Sequence, residues 1–245
     1  MASDIRLSLI LPIHNQETII ATVVEKINSI LNKAKIANEI ILVENGSTDN
    51  SFASCQKLSK KYKNIQVIQA IKGYGSAIIA GLKKAKGDYV SYMPSDGQLD
   101  PNLLPKLDDL IMNNKYDLVK IKRITRESLI RLIRSGVFNL LTKLLFKIPV
   151  IDINGSPRIF LRKWLPILNL EYKDSFIDTE MAIKSHYLNW KIKEIPTKTL
   201  PRLGGKSTVN IKTVIEFMRN LLSYKFSGNL KSWIIKTKTL SQTSF

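Results

Sequence analysis

A single cysteine, Cys55, is all the thiol chemistry in this 245-residue chain. That excludes an internal disulfide framework and a multi-cysteine zinc site, and it points to a reducing compartment. Long hydrophobic runs are also missing. One apolar stretch, Leu140-Leu141-Thr142-Lys143-Leu144-Leu145-Phe146, is cut by Lys143 and followed by Pro149, short of the roughly 18 apolar residues that a spanning helix needs. Met1 to Arg6 carries no basic stretch leading to an apolar segment and a small-residue cleavage site, so the protein is expected to stay inside the cell. Acidic residues are scarce too: 20 Asp and Glu stand against 38 Lys and Arg, a formal charge of +18, and the shortage deepens beyond residue 115. Such an excess suits nucleic acid, an anionic membrane surface or a phosphorylated substrate, although a lysine-rich proteome would also account for it. No zinc finger, helix-turn-helix signature or aromatic stacking motif accompanies the charge, so nucleic acid is not an expected partner.

What is present begins with alternation. Leu7 to Pro12 reads as a short apolar strand, and Thr18 to Leu31 repeats apolar residues at the spacing of a buried helix face. Glu39 to Val43 is the next strand, Ser51 to Tyr62 a helix, Ile65 to Gln69 a strand, Ser76 to Ala85 a helix opened by Gly73-Tyr74-Gly75, and Tyr89 to Met93 a strand. Strands and helices at this spacing predict a parallel sheet covered on both faces, with ligands beyond the carboxyl ends of the strands. The loops there are Pro12 to Glu17, Glu44 to Asp49 and Pro94 to Asp100.

Beyond Tyr116 the pattern turns basic and mixed. Arg126 to Lys147 predicts a long helix, Asp152 to Phe160 a turn and strand, Asp178 to Tyr187 a helix and Ile192 to Ile195 a strand. From Ile211 to Leu222 the apolar residues form a helical stripe. With Lys212, Arg219 and Lys225 nearby, and Tyr224, Phe226 and Trp233 as amphipathic anchors, that helix suits a membrane interface; packing on the rest of the chain or on a second subunit suits it equally.

The three loops carry polar residues fit for a nucleotide. Glu44 is an acceptor for ribose hydroxyls or a base N–H, and the main chain around Pro12 and His14 has groups to frame a base. Asn45-Gly46-Ser47 reads as a turn leading to a helix cap, a role compatible with ligand binding.

Pro12-Ile13-His14-Asn15-Gln16-Glu17, then Val43-Glu44-Asn45-Gly46-Ser47-Thr48-Asp49, then Ser95-Asp96-Gly97-Gln98 resembles the family 2 glycosyltransferases of the GT-A fold. Within them the chain is most similar to dolichol-phosphate mannosyltransferases and related polyprenyl-phosphate glycosyltransferases. The likeness covers roughly residues 7 to 208, is strongest over the first 110, and lies in the ordered series of motifs more than in any one of them. It implies an α/β, GT-A-like fold with a mostly parallel sheet flanked by helices and a C-terminal amphipathic helical appendage. It implies a catalytic domain at 1–208, with the nucleotide-sugar part at about 1–115 and the acceptor part at about 116–208, followed by a membrane-interface segment at 209–245.

The resemblance assigns Pro12, His14, Glu17, Glu44 and Asn45 to the nucleotide pocket. The family commonly has an aspartate pair in place of Glu44-Asn45 and an aromatic in place of His14, which leaves the base open. Asp96 is the expected ligand of Mg2+ or Mn2+ at the departing diphosphate, with Gln98 as second ligand. An aspartate two residues earlier is usual in the family; here that position is Pro94.

For the acceptor side the resemblance assigns Arg123, Arg131 and Ser135 to a lipid phosphate, with Lys122 and Arg126 as rivals to Arg123. Arg131, Arg134 and Ser135 stand at spacings that share one helix face. Asp152 to Arg158 resembles a polar family loop, Arg202 and Lys206 a late basic loop that closes over phosphates, and Asp178 and Glu180 an acidic pair. A phosphate acceptor is already ionised and needs positioning; a hydroxyl acceptor would require Asp178 or Glu180 as base, unless those carboxylates simply fix arginines. The implied activity is an inverting hexosyl transfer from a nucleotide-diphosphate sugar to a polyprenyl phosphate, at the cytoplasmic face of a membrane, with a membrane protein or a second copy as possible company. A glycan or glycolipid hydroxyl acceptor, and a non-catalytic nucleotide-binding protein motivated by Pro94, are the alternatives.

Overall fold

The computed structural model of the chain describes residues 4–113, 115–124, 129–204 and 211–242, without the side chains of 129–135, 211–214 and 238–242. Strand β1 (Leu7–Ile13) is buried along its whole length, as expected of a run with almost no polar residue in the middle of a sheet. It is followed by α1 (Ile20–Lys33), β2 (Asn38–Glu44), α2 (Ser51–Lys61), β3 (Ile65–Gln69), α3 (Tyr74–Lys84) and β4 (Tyr89–Tyr92). The second half comprises α4 (Leu103–Met112), β5 (Leu118–Arg123), α5 (Leu129–Phe146), β6 (Arg158–Leu161), a one-turn 3-10 helix, α6 (Leu165–Leu168), α7 (Ile177–Tyr187), β7 (Ile192–Thr197), α8 (Ile211–Phe226) and α9 (Gly228–Gln242).

Among the described residues the strands form one sheet in the order β3-β2-β1-β4-β6-β5-β7. β1, β2, β3 and β4 run parallel, as do β5 and β7; β6 is antiparallel to both of its neighbours, β4 and β5. The mostly parallel sheet flanked by helices is therefore the architecture found, and the strands expected in the first half are all present.

Alternation along β1 divides the core into two layers. Leu7, Leu9, Leu11 and Ile13 face α1, α2 and α4, where Val24, Ile27, Leu58, Leu104 and Leu107 meet them. Ile10 points the other way, with Ile41 and Val43, onto Ile78 and Leu82 of α3 and Met181 of α7. Gly81 lets α3 lie close to the sheet: a Cβ there would stand 2.9 Å from Ile10 Cγ1 and 3.1 Å from Val43 Cγ2.

A third cluster joins the C-terminal helices to the rest. Leu221 and Tyr224 of α8 and Leu230 and Trp233 of α9 pack with Phe146, Ile148, Phe176 and Ile183. Phe138 of α5 and Phe217 of α8 pack with ring centroids 5.2 Å apart and planes tilted by 51°, and Trp233 donates from Nε1 to Ile167 O at 2.8 Å. The stripe predicted on α8 is thus split: Leu221 is buried, whereas Ile215, Leu222 and the nearby Phe226 are exposed.

Candidate functional site

The carboxyl ends of β1 and β2 lie side by side, with Ile13 paired to Glu44 in register. Asn45 fastens them. Its main-chain N–H and its Nδ2 both donate to Ile13 O, at 3.0 and 2.8 Å, and its Oδ1 accepts the N–H of Gly73 at 3.3 Å. Asn45 therefore ties two strand ends to the start of α3, a scaffolding role. Glu44, also buried, accepts from the Ser47 N–H and from Gln69 Nε2. Burial works against its charge, but those donors outweigh it and hold the carboxyl below its ordinary range. It is a fixed acceptor, charged at neutral pH.

The first two loops lock together reciprocally. Asn15, at φ 51°, accepts the Thr48 N–H at 2.8 Å and donates its own N–H to Ser47 Oγ at 3.1 Å. Glu17 donates its N–H to Asp49 at 3.1 Å, and its carboxylate accepts the N–H and Nδ2 of Asn50 at 3.1 and 2.9 Å. The Glu17 carboxylate thus supports the loop. Beside it, His14 Nδ1 is buried with no hydrogen-bond partner in the structure.

The third loop joins the same end: Ser95 Oγ lies 2.5 Å from Pro12 O and 2.5 Å from Gln16 Oε1. Gly97 turns it at φ +77°, pressed against Leu203 so closely that a Cβ would stand 2.5 Å from Leu203 Cδ1. Residues 200–203 run alongside: Leu200 N–H donates to Gln98 O at 2.8 Å and Leu203 N–H to Asp96 O at 3.1 Å. Arg202 reaches both predicted metal ligands, with Nη2 3.2 Å from Asp96 Oδ2 and 3.1 Å from Gln98 Oε1.

Those two oxygens converge on one cationic nitrogen, which shows that they face a common point. Among the described residues no three His, Cys, Asp or Glu side chains gather as a metal cluster. Two oxygens so placed fit a hard cation, which prefers oxygen ligands and takes few of them from the protein.

On the other half of the sheet, Arg123 ends β5 in the grip of Asp152. The loop that bears Asp152 is fastened by three charged side chains from three strands. Glu194 of β7 accepts the N–H groups of Ile151 and Asp152 at 2.9 and 3.0 Å. Lys120 of β5, fully buried, donates to the carbonyls of Asp152 and Ile153. Arg158 of β6 donates to Ile153 O at 3.3 Å and Gly155 O at 3.0 Å. Burial, with the Arg158 charge, pulls the Lys120 pKa down to about 7. A neutral amine still donates both bonds.

Asp178 belongs to the same buried network: its Oδ1 lies 3.1 Å from Arg158 Nη2 and accepts the Tyr92 hydroxyl at 2.9 Å. Burial pushes its pKa up, against the pull of Arg158 and the Tyr92 hydroxyl. Glu180 is engaged elsewhere, accepting from Lys184 Nζ at 2.7 Å and from the N–H groups of Glu171 and Tyr172. Both carboxylates are engaged within the protein, Asp178 with an arginine and Glu180 with a lysine and two main-chain N–H groups.

Arg131, Arg134 and Ser135 lie on α5, but their side chains fall outside the described residues, as do Arg126 and Lys206 altogether. What sequence reasoning missed is the holder of Arg123. Asp152 lies 29 positions away, in the loop ahead of β6, and no spacing in the sequence pairs the two.

Comparison with known proteins adds a family and a fold. The model of "Glycosyl transferase family 2" matches residues 8–166. The dolichol-phosphate mannosyltransferase of Pyrococcus furiosus is 29% identical over 229 residues, covering 88% of this chain and 62% of the relative. The undecaprenyl-phosphate 4-deoxy-4-formamido-L-arabinose transferase of Pectobacterium atrosepticum is 28% identical over 229 residues, covering 91% and 68%. Among solved structures, glucosyl-3-phosphoglycerate synthase from Mycobacterium tuberculosis, in complex with Mn2+, UDP-glucose and phosphoglyceric acid, superposes with a TM-score of 0.69 at 18% identity, over 91% of this chain and 79% of that one. The same enzyme with Mg2+ and UDP gives 0.71 at 16% identity, over 90% and 79%. At those identities the likeness is one of fold.

Proposed function

The chain belongs to glycosyl transferase family 2, and on that premise we propose that it moves a sugar from a nucleotide-sugar donor, with inversion, onto a polyprenyl phosphate. The chain spans 62% of the length of its Pyrococcus relative. The observation that carries the reading is the meeting of three strand-end loops at one edge, with Asp96 among them. The names of both relatives, one a dolichol-phosphate and the other an undecaprenyl-phosphate sugar transferase, support the acceptor class.

In this reading Glu44, the His14 main chain and the Pro12 loop hold the nucleoside, and Asp96 with Gln98 faces the diphosphate. A divalent cation, Mg2+ or Mn2+, would neutralise charge growing on the departing diphosphate. Arg123, with Arg131 and Ser135 of α5, holds the acceptor phosphate. One phosphate oxygen attacks the anomeric carbon as the bond from that carbon to the nucleoside diphosphate breaks, and no proton has to be removed. That Asp178 is already committed to Arg158 and Tyr92 favours a phosphate over a hydroxyl acceptor, which would need a base.

Residues 1–208 form the catalytic part in this proposal and 209–245 a segment that helps seat it on a membrane. Among the described residues no helix is long and apolar enough to cross a bilayer. Val137, Leu140 and Leu144 on α5 and Ile215, Leu222 and Phe226 on α8 are exposed on two helices in contact, with Lys143, Lys147, Arg219 and Lys225 among them. Apolar side chains set among basic ones suit the surface of an anionic membrane, here assigned as the cytoplasmic face.

The test is direct: incubate the protein with undecaprenyl or dolichyl phosphate, Mn2+ and a panel of UDP- and GDP-sugars. Sugar transfer to the lipid phosphate is the expected result. Transfer to a glycan hydroxyl alone would replace the acceptor, and failure to bind any nucleotide would remove the reading altogether.

A further inference from the structure

We propose that Arg202 is the resident cation of the Asp96–Gln98 site, and that it leaves only when a divalent cation arrives together with a nucleoside diphosphate, so that the two bind as one unit. The inference rests on the reading of this cleft as a nucleotide-sugar site. Its geometric basis is the single Arg202 nitrogen shared by both ligand oxygens, at 3.2 Å from Asp96 and 3.1 Å from Gln98. This contact is built by the main chain. Leu200 and Leu203 hydrogen-bond to the carbonyls of Gln98 and Asp96, on either side of Arg202, and Leu203 packs on Gly97.

Charge balance couples the two arrivals. Asp96 is a carboxylate, Arg202 a guanidinium and Gln98 a neutral amide. A divalent cation entering alone would stand within a few ångströms of Arg202 and be repelled by it. A diphosphate entering alone would meet the Asp96 carboxylate. Entering together, the cation takes the two oxygens and the diphosphate takes Arg202, whose planar fork matches phosphate oxygens.

Pro94 gives this chain its particular dependence on exchange. A carboxylate at that position would bring the loop to two negative charges against the three positive ones of a divalent cation and Arg202, and so lessen their repulsion. With Pro94 there, Asp96 is the only carboxylate in the 94–98 loop, a single negative charge against those three.

The experiment is a titration of the full chain with Mn2+, following free Mn2+ by electron paramagnetic resonance, alone and with UDP or GDP. The wild type is expected to bind Mn2+ weakly alone and at least tenfold more tightly with whichever nucleotide binds. Arg202→Gln should bind Mn2+ alone at least tenfold more tightly than the wild type, Arg202→Lys should fall between, and Asp96→Asn added to Arg202→Gln should erase the gain. Circular dichroism confirms that each variant is folded. Mn2+ affinity in Arg202→Gln equal to or weaker than that of the wild type overturns the exchange. That comparison needs no nucleotide, so it stands apart from failure of the wild type to bind UDP or GDP in the presence of Mn2+, which would defeat the functional reading instead.

Discussion

Asp152 holds Arg123 with both carboxylate oxygens, one 2.8 Å from Nε and the other 2.8 Å from Nη2, and the first also accepts the Arg123 main-chain N–H at 2.9 Å. An arginine gripped on one edge of its guanidinium keeps its remaining N–H groups pointed in a fixed direction. If Arg123 holds the acceptor phosphate, Asp152 sets its aim. Asp152→Asn is expected to raise the KM for polyprenyl phosphate at least tenfold, with a much smaller change in the KM for the nucleotide sugar. Charge-assisted hydrogen bonds of this kind contribute about 2 kcal/mol each, and a denaturant titration should register a loss of that order. Equal changes in both KM values would mean that Asp152 serves the fold only.

The Arg158–Asp178 pair separates two acceptor chemistries. With side-chain exposures of 1% and 8%, Asp178→Ala leaves a buried guanidinium uncompensated, a defect that costs roughly 3–5 kcal/mol, measurable by chemical denaturation. Asp178→Asn keeps a partner for Tyr92 and should lose less stability while retaining sugar transfer. Complete loss of transfer in a folded Asp178→Asn protein would instead identify the carboxylate as a general base acting on a hydroxyl.

Lys120 predicts a pH signature. Its pKa is about 7 in the folded chain and rises to the ordinary lysine range on unfolding. Between those values the unfolded state binds more protons, so stability rises with pH from about 7 upward, by at most about 1.4 kcal/mol per pH unit. Below 7 the residue is protonated in both states and contributes no slope. Urea midpoints at several pH values should show the rise in the wild type and a flatter profile in Lys120→Met.

Membrane seating is open to a vesicle assay. Leu140→Gln, Leu144→Gln and Phe226→Gln together remove exposed apolar side chains from α5 and α8. Burying each such group in a lipid interface contributes about 1–3 kcal/mol, so sedimentation with anionic vesicles should weaken at least tenfold while the residual binding stays salt-sensitive. Undiminished binding would place the lipid contact elsewhere.

Much of the donor half is legible in the sequence because its signals are local. β1, β2 and β4 are short apolar runs, each ending in a polar turn, and in a parallel sheet those turns must share an edge. The acceptor half hides for identifiable reasons. β5 reads as part of a basic stretch because Lys120, Lys122 and Arg123 interrupt it, yet Lys120 is 1% exposed, a rare place for a lysine. α4 is masked by Pro105, a breaker in general but tolerated here in the first turn. The grip of Asp152 on Arg123, and of Arg202 on Asp96, joins residues 29 and 106 positions apart, beyond any periodicity. The Asp178 pairing was within reach as an alternative; its partner Arg158 was not, since nothing in the spacing selects one arginine over another.

The fastening of residues 151–155 by Glu194, Lys120 and Arg158 has a bearing on timing. Because those side chains come from three neighbouring strands, the loop acquires its shape when the sheet assembles, ahead of any encounter with substrate. If Arg123 receives a lipid headgroup, as proposed, that guanidinium is held in place beforehand, and less conformational freedom has to be surrendered at each round. Capture would be governed by diffusion along the bilayer rather than by rearrangement of the receiving surface.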